Sequence, residues 1–172
     1  MIVAFVILFG LLTSLLIYGI RIKIQSHNNT VAKIAKLPPF LFTTLSSQNF
    51  SSSSIKNGPV LILYFHPDCE HCQYEISEIL NSKIPDMYAK VVLVSGAHPD
   101  SVKKFFRHVD YSRFPAIVLL IDNSHSFESI FGNGIVPSSY IYDKNLTLVK
   151  EIHGEVKSEA ILRYIKVGEQ DQ

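Results

Sequence analysis

Several residue types are scarce or missing in this chain. Its 172 residues include no tryptophan and two cysteines. Neither cysteine falls in the first 68 positions, which leaves none near the N-terminus for lipid attachment. Acidic residues are absent from the first 67 positions, whose five basic residues give a formal charge of +5, whereas 11 basic and 15 acidic residues give −4 to the remainder. The net charge of +1 gives no case for a nucleic-acid partner. The 47% hydrophobic share excludes a disordered chain and is enough for one packed domain.

The first 20 residues carry no charged side chain and consist mainly of leucine, isoleucine, valine and phenylalanine. A helix rises about 1.5 Å per residue, so about 20 residues cover the ~30 Å hydrocarbon core of a bilayer. The run is longer than the apolar part of a signal peptide, and no convincing cleavage site precedes Arg21. We therefore expect a transmembrane anchor at residues 1–20, a juxtamembrane tether at 21–36 and one domain at 37–172.

Apolar runs of strand length alternate with helical patterns over the rest of the chain. This alternation, with a hairpin at its end, predicts an α/β fold whose mixed sheet has helices on both faces. A serine-rich stretch ahead of the main strands favours a short hairpin, with a linker as the alternative. The predicted strands are at 40–45, 50–55, 59–65, 89–95, 115–121, 138–143 and 146–152, and the predicted helices follow Cys72 and occupy 99–109, 126–131 and 158–167.

Both cysteines belong to one short motif, Cys69-Glu70-His71-Cys72, between a predicted buried strand and a predicted helix. A helix N-terminus presents unpaired N–H groups and a partial positive charge, so it stabilises a thiolate there. A thiolate attacks disulfides, and a second thiol one turn further along the helix can resolve the mixed disulfide. The motif therefore predicts a redox centre in which Cys69 attacks and Cys72 resolves, with a protonated His71 supporting the thiolate.

Other uses of the two cysteines fit less well. A disulfide that closes two intervening residues removes little chain entropy and is a poor staple. A zinc site needs about four ligands, and only His66 and His71 lie near the pair in sequence. Covalent haem attachment needs a histidine after the second cysteine, where this chain has Gln73. Redox chemistry is favoured, while metal binding and inert thiols stay as alternatives.

The chain resembles the thioredoxin-like superfamily and, more narrowly, the membrane-anchored TlpA-type thiol-disulfide oxidoreductases, which are related to the peroxiredoxins. The resemblance covers about residues 37–167. The matching parts are Leu37-Pro38-Pro39-Phe40, the strand from Gly58 to Phe65, Cys69 to Cys72 with Glu75, the strand from Val91 to Ser95, and Phe131-Gly132 through Val136-Pro137 to Asp143.

The resemblance implies a three-layer thioredoxin-like fold and several site residues. Pro137 would be a cis proline facing the cysteines, a bond that is practically limited to X-Pro sequences. Val136 would offer its backbone groups to an extended substrate. Glu75 matches an acidic residue that would assist proton transfer from Cys72, although a solvated helix residue is an equal alternative. The resemblance implies no cofactor and no metal.

It also implies partners and a location. The substrates would be disulfide-containing or dithiol proteins, and a separate redox partner would restore the site. The resemblance places the catalytic domain on the extracytoplasmic, or periplasmic, side of the cell membrane, behind a single-pass anchor. The basic residues after residue 20 would by the positive-inside rule keep it in the cytoplasm. We expect the extracytoplasmic side.

The chain also departs from the family pattern. Asp68 replaces the aromatic residue that usually precedes the first cysteine. The negative charges of Asp68 and Glu70 disfavour a thiolate at Cys69, whereas a protonated His71 favours it. Leu63 stands where thioredoxins carry a buried acid. The direction of electron flow is therefore set by the resemblance alone, which implies a reductase.

Three functions compete at this point. The first is a thiol-disulfide oxidoreductase that reduces disulfides in exported proteins, with oxidation as the less favoured direction. The second is a thiol peroxidase. Peroxiredoxins have Thr or Ser three residues before the reactive cysteine, whereas this chain has His66 there, which counts against this function. The third is a metal carrier or interaction module that combines Cys69 and Cys72 with a distant histidine such as His125 or His153, whose spacing gives it no support.

Overall fold

The computed structural model describes residues 2–110 and 113–170, without the side chains of 2–8, 23–30 and 165–170. The strands in this part of the chain are β1 Leu41–Thr44, β2 Asn49–Ser51, β3 Val60–Tyr64, β4 Lys90–Ser95, β5 Ile117–Ile121, β6 Ser138–Tyr142 and β7 Leu148–His153. The α-helices are α1 Ile2–Ile34, α2 Glu70–Leu80, α3 Ile84–Met87, α4 Pro99–Phe105, α5 Phe127–Phe131 and α6 Ser158–Gln170.

The described strands form one mixed sheet in the order β2-β1-β5-β4-β3-β6-β7. Strand β3 runs parallel to β4 and antiparallel to β6, and β4 runs parallel to β5. The predicted mixed sheet is thus confirmed. At the carboxyl end of β3, Tyr64 lies opposite Val94 on one side and Ser138 on the other. The segments that leave β3 and β4 and the segment that enters β6 therefore meet at one edge of the sheet.

Helices cover both faces of the sheet, which confirms the three-layer fold. Side chains alternate between the faces along a strand, so the apolar run of β3 serves two cores. Leu61 and Leu63 face a core that includes residues of α2, α3, α4 and α6. Val60 and Ile62 face a second core that α5 and the last residue of α1 complete.

The serine-rich hairpin is confirmed, but its second strand is shorter than predicted. Strands β1 and β2 pair antiparallel, and β2 ends at Ser51. The next three residues form a 3-10 helix, Ser52–Ser54, whose first N–H groups need partners. The Ser51 hydroxyl accepts the N–H of Ser53 at 3.2 Å, and the Ser52 hydroxyl accepts the N–H of Phe40 at 3.1 Å. Serine side chains thus replace the ladder bonds of the predicted strand.

Helix α1 continues through the residues predicted as a tether. Its last residue, Ile34, is fully buried, and the Ile34 carbonyl accepts a hydrogen bond from the Tyr142 hydroxyl at 3.2 Å. The end of α1 is therefore packed on the domain. Among the residues that the structure describes, no helix meets the length and apolarity of a membrane span. The side chains of residues 1–8, which belong to the predicted anchor, lie outside the described part.

Candidate active site

The two cysteines lie at the start of α2, directly after the loop that leaves β3. Cys69 is the N-cap of the helix, with extended backbone angles, and its Sγ accepts the N–H of Cys72 at 3.3 Å. The loop is held by the Gln73 side chain, whose Nε2 donates to the Pro67 carbonyl at 2.7 Å. The sequence therefore placed the motif correctly, at a helix N-terminus where N–H groups face the first sulfur.

The two sulfurs differ in access and in protonation. Cys69 is partly exposed, whereas Cys72 is fully buried. The Cys72 thiol donates to Cys69 Sγ at 2.6 Å. Burial, and then the hydrogen bond to Cys69, raise the pKa of Cys72 to about 12. Cys72 therefore stays protonated and out of reach while Cys69 faces solvent, which is the asymmetry that the attacking and resolving roles require.

Glu75 is a buried acid beneath the cysteine pair. Its side chain is 0% exposed, so the alternative of a solvated helix residue is wrong. Burial raises the pKa of Glu75 to about 7, against two hydrogen bonds that lower it. The Ser139 hydroxyl donates to one carboxyl oxygen at 2.7 Å, and the Val156 N–H donates to the other at 3.3 Å. The charge of Glu75 in turn contributes to the raised pKa of Cys72, so the two groups share one electrostatic environment.

Val136 and Pro137 lie at the same edge of the sheet as the cysteine loop. The Val136–Pro137 peptide bond is cis. Because Pro137 directly precedes β6, and β6 pairs with β3, the bond sits beside the strand end from which the cysteine loop departs. Val136 is half-buried and packs against the same core as Cys69. Its position at the same end of the sheet as the cysteine loop is compatible with the substrate-binding role that the resemblance implied.

A polar network holds the loop that carries this bond, and the sequence did not reveal it. His153 is an exposed residue at the end of β7. Its Nδ1 lies 3.0 Å from the Ser138 hydroxyl and 2.6 Å from Asn133 Nδ2, while its Nε2 lies 2.8 Å from a Glu151 carboxylate oxygen. Asn133 Oδ1 also accepts the N–H of Ile135 at 2.7 Å. The network joins residues that are 15 and 20 positions apart, so no local pattern in the sequence indicates it.

His71 is exposed, and its Nδ1 lies 2.7 Å from a Glu155 carboxylate oxygen. Glu155 precedes Val156, so a single loop contacts both His71 and Glu75. Within the described residues, no group of three or more His, Cys, Asp or Glu side chains is placed to hold a metal ion. The two distant histidines considered as extra ligands do not form such a group with the cysteines there.

The fold and the site together define a thioredoxin-like protein with a Cys-x-x-Cys centre at a helix N-terminus. The sequence model of the AhpC/TSA family matches residues 34–151, well over half of the chain, and the chain belongs to this family. It is similar to the thiol-disulfide oxidoreductase ResA of Bacillus anthracis, with 24% identity over 131 residues that cover 75% of this chain and 74% of the relative. A ResA of Bacillus cereus is 24% identical over 132 residues, with the same coverage.

Solved structures support the same fold. The pneumococcal exposed lipoprotein thioredoxin Etrx1 of Streptococcus pneumoniae strain TIGR4 superimposes with a TM-score of 0.60 at 20% identity, covering 75% of this chain and 98% of that chain. A thio-disulfide isomerase of Thermus thermophilus gives a TM-score of 0.60 at 17% identity, covering 80% and 96%. The chain is thus a thioredoxin-like protein of the TlpA/ResA type.

Proposed function

We propose that the chain is a thiol-disulfide oxidoreductase that reduces disulfides of exported proteins. The observation that carries this proposal is the asymmetry of the pair, a reachable Cys69 in front of a buried and protonated Cys72. A structural disulfide or a metal site would not need one sulfur exposed and the other held as a neutral thiol. The curated relatives of similar length are named as thiol-disulfide oxidoreductases, which supports the same reaction here.

The reaction proceeds in two exchanges. The Cys69 thiolate attacks one sulfur of the substrate disulfide, and the other substrate sulfur leaves as a thiolate. Cys72 then loses its proton and attacks Cys69 Sγ, which releases the second substrate sulfur and leaves a Cys69–Cys72 disulfide. The substrate gains two electrons and the protein loses them. An external dithiol partner restores the reduced pair by the reverse exchanges.

We propose that Glu75 takes the Cys72 proton, because it lies three residues further along α2 and its charge acts on the Cys72 thiol. Burial is the largest cause of the raised Cys72 pKa and persists when Cys69 is bound to the substrate, so the second exchange needs a base. Glu75 has a pKa of about 7 and is therefore largely ionised at slightly alkaline pH. No other carboxylate is among the causes that raise the Cys72 pKa. Glu75 thus acts as the general base of the resolving step.

A turnover assay with the full chain tests the function. We expect catalysed reduction of insulin disulfides by a dithiol donor, well above the rate of the donor alone, and no catalysis by Cys69→Ser. Peroxide consumption faster than disulfide reduction would establish the peroxidase instead. Stoichiometric metal binding by the reduced chain without any turnover would establish the carrier. Either of these results overturns the proposal.

We also propose that residues 1–20 anchor the chain in the cell membrane as a single pass, with the catalytic domain on the extracytoplasmic side. Support comes from a concentration of exposed apolar side chains on α1, a surface that water does not favour. The exposed apolar side chains on this helix are those of Phe9, Leu11, Leu12, Leu15, Leu16, Ile17, Tyr18, Ile20 and Ile22.

Protease treatment of intact cells tests the anchor and its orientation. We expect an added protease to degrade the domain while a cytoplasmic marker survives, and we expect the chain to sediment with membranes. Replacing Leu15 and Leu16 by lysine places two charges in the apolar run and should release the chain from the membrane fraction. A domain that is protected until the cells are lysed would contradict the proposed side.

A further inference from the structure

A cavity of about 320 Å³ lies beside the cysteine loop, between α2 and the end of α4. Pro67 and Asp68, which lead into Cys69, form its near end. We call this cavity the basic groove; its other side chains include Gln73, Lys104, Phe105, Arg107 and His108. Phe105 is half-buried and supplies an apolar wall, while Lys104, Arg107 and His108 are exposed.

The groove has more positive than negative charge. Among the described residues, neither Lys104 nor Arg107 forms an ion pair with a carboxylate. Arg107 Nε donates to His108 Nε2 at 2.8 Å, which leaves the terminal guanidinium nitrogens for a ligand. The carboxylate of the groove, Asp68, is 86% exposed and lies at the cysteine end. The far end of the groove is therefore cationic.

The sheet order places the groove opposite the Pro137 loop. The groove is built partly by α4, which follows β4, whereas Pro137 precedes β6. Since β4 and β6 flank β3 on opposite sides, the loop with Cys69 lies between the two. A polypeptide whose disulfide reaches Cys69 along Val136 would continue across the cysteine into the groove.

We propose that the basic groove binds an acidic segment of the substrate protein next to its disulfide. This inference rests on the proposed function, because it assumes that the site reduces protein disulfides. Carboxylates of the segment pair with Lys104 and Arg107, whose guanidinium suits bidentate contact, and an apolar neighbour packs on Phe105. The groove thereby selects among disulfides that Cys69 attacks equally well.

Two peptides with the same disulfide test the proposal on the full chain, one flanked by aspartate and glutamate and the other by lysine. Two solvent-exposed ion pairs predict a KM about fivefold to tenfold lower for the acidic peptide, with a difference that shrinks as salt is added. The double variant Lys104→Glu/Arg107→Glu should reverse the preference. Equal KM values for the two peptides in the unaltered chain would overturn the proposal.

Lys103 provides the matched control. It lies in the same last turn of α4, but it pairs with Asp100 at 3.7 Å and does not line the groove. Lys103→Glu should keep the preference for the acidic peptide. If Lys103→Glu lost this preference as fully as Lys104→Glu/Arg107→Glu does, helix stability or net charge would explain the effect, and the proposal would be overturned. Reduction of the neutral 2-hydroxyethyl disulfide should be the same in all variants. If the unaltered chain fails to reduce this reagent, the proposed function fails, whereas failure of peptide selection alone refutes only the groove.

Discussion

Replacing Cys69 by serine is expected to abolish disulfide reduction, and replacing Cys72 by serine to stop the reaction halfway. A serine hydroxyl is not ionised near neutral pH, so Cys69→Ser has no nucleophile and should lose at least about 10³-fold in kcat/KM. Cys72→Ser keeps the reachable sulfur and attacks normally, but nothing releases the mixed disulfide. Mass spectrometry under non-reducing conditions should detect a covalent adduct with the substrate in Cys72→Ser and none in Cys69→Ser.

The two variants control for each other because each removes one sulfur from the same turn of α2. The roles assigned here would be wrong if Cys69→Ser trapped the substrate, since the buried Cys72 would then be the attacking group. They would also be wrong if both single variants kept turning over. Thermal unfolding of both variants separates a chemical loss from a folding defect.

The fold was predictable from the sequence because its central strands β3, β4 and β5 are mainly apolar runs and its helices carry a regular apolar spacing. The five strands β3 to β7 and the helices α2, α4, α5 and α6 were all predicted near their observed positions. The exact end of β2 was not predictable, because it depends on serine hydroxyls that capture backbone N–H groups. The packing of Ile34 was also missed, since residues 21–36 are too polar to indicate contact with the core.

The site was only partly predictable. The cysteine spacing identified its chemistry, because the motif and its place before a helix are local features. The burial of Glu75 is not local, since it depends on Ser139 and Val156, which lie far along the chain. The same holds for the groove, whose walls come from the start of α2 and the end of α4. Tertiary packing decides both the burial of Glu75 and the formation of the groove, so neither can be predicted from the spacing of residues along one helix.

Glu75→Gln is expected to change the pH dependence of stability. The pKa of Glu75 is about 7 in the folded chain against 4.5 as the ordinary value, so the folded state binds this proton more tightly. The protonated acid therefore makes its full contribution to the free energy of unfolding below about pH 4.5, and this contribution is lost as pH rises through 7. A shift of this size corresponds to about 3 kcal/mol. Glutamine is always neutral and does not suffer this loss.

Unfolding in urea at several pH values measures the effect. Near pH 4, where Glu75 is protonated, the variant should differ in stability by no more than about 1 kcal/mol, because the glutamine oxygen can accept from the Val156 N–H while its amide N–H donates to the Ser139 hydroxyl. Near pH 8 it should be more stable than the unaltered chain by about 2 kcal/mol. Glu78→Gln is the matched control, since Glu78 lies one turn further along α2 and is half-buried. A pH-independent difference for Glu75→Gln would contradict the raised pKa.

The same substitution should slow the enzyme even where it stabilises the fold. Glutamine cannot accept the Cys72 proton, so the second exchange should slow by about 10²-fold and the mixed disulfide should accumulate. In the unaltered chain the rate of this step should fall as pH drops through 7, and Glu75→Gln should lack that inflection. Glu75 would then lower the stability of the fold at neutral pH and speed the resolving step, which is a trade-off between stability and activity. Unchanged rates in Glu75→Gln would leave Glu75 as a packing residue and remove it from the mechanism.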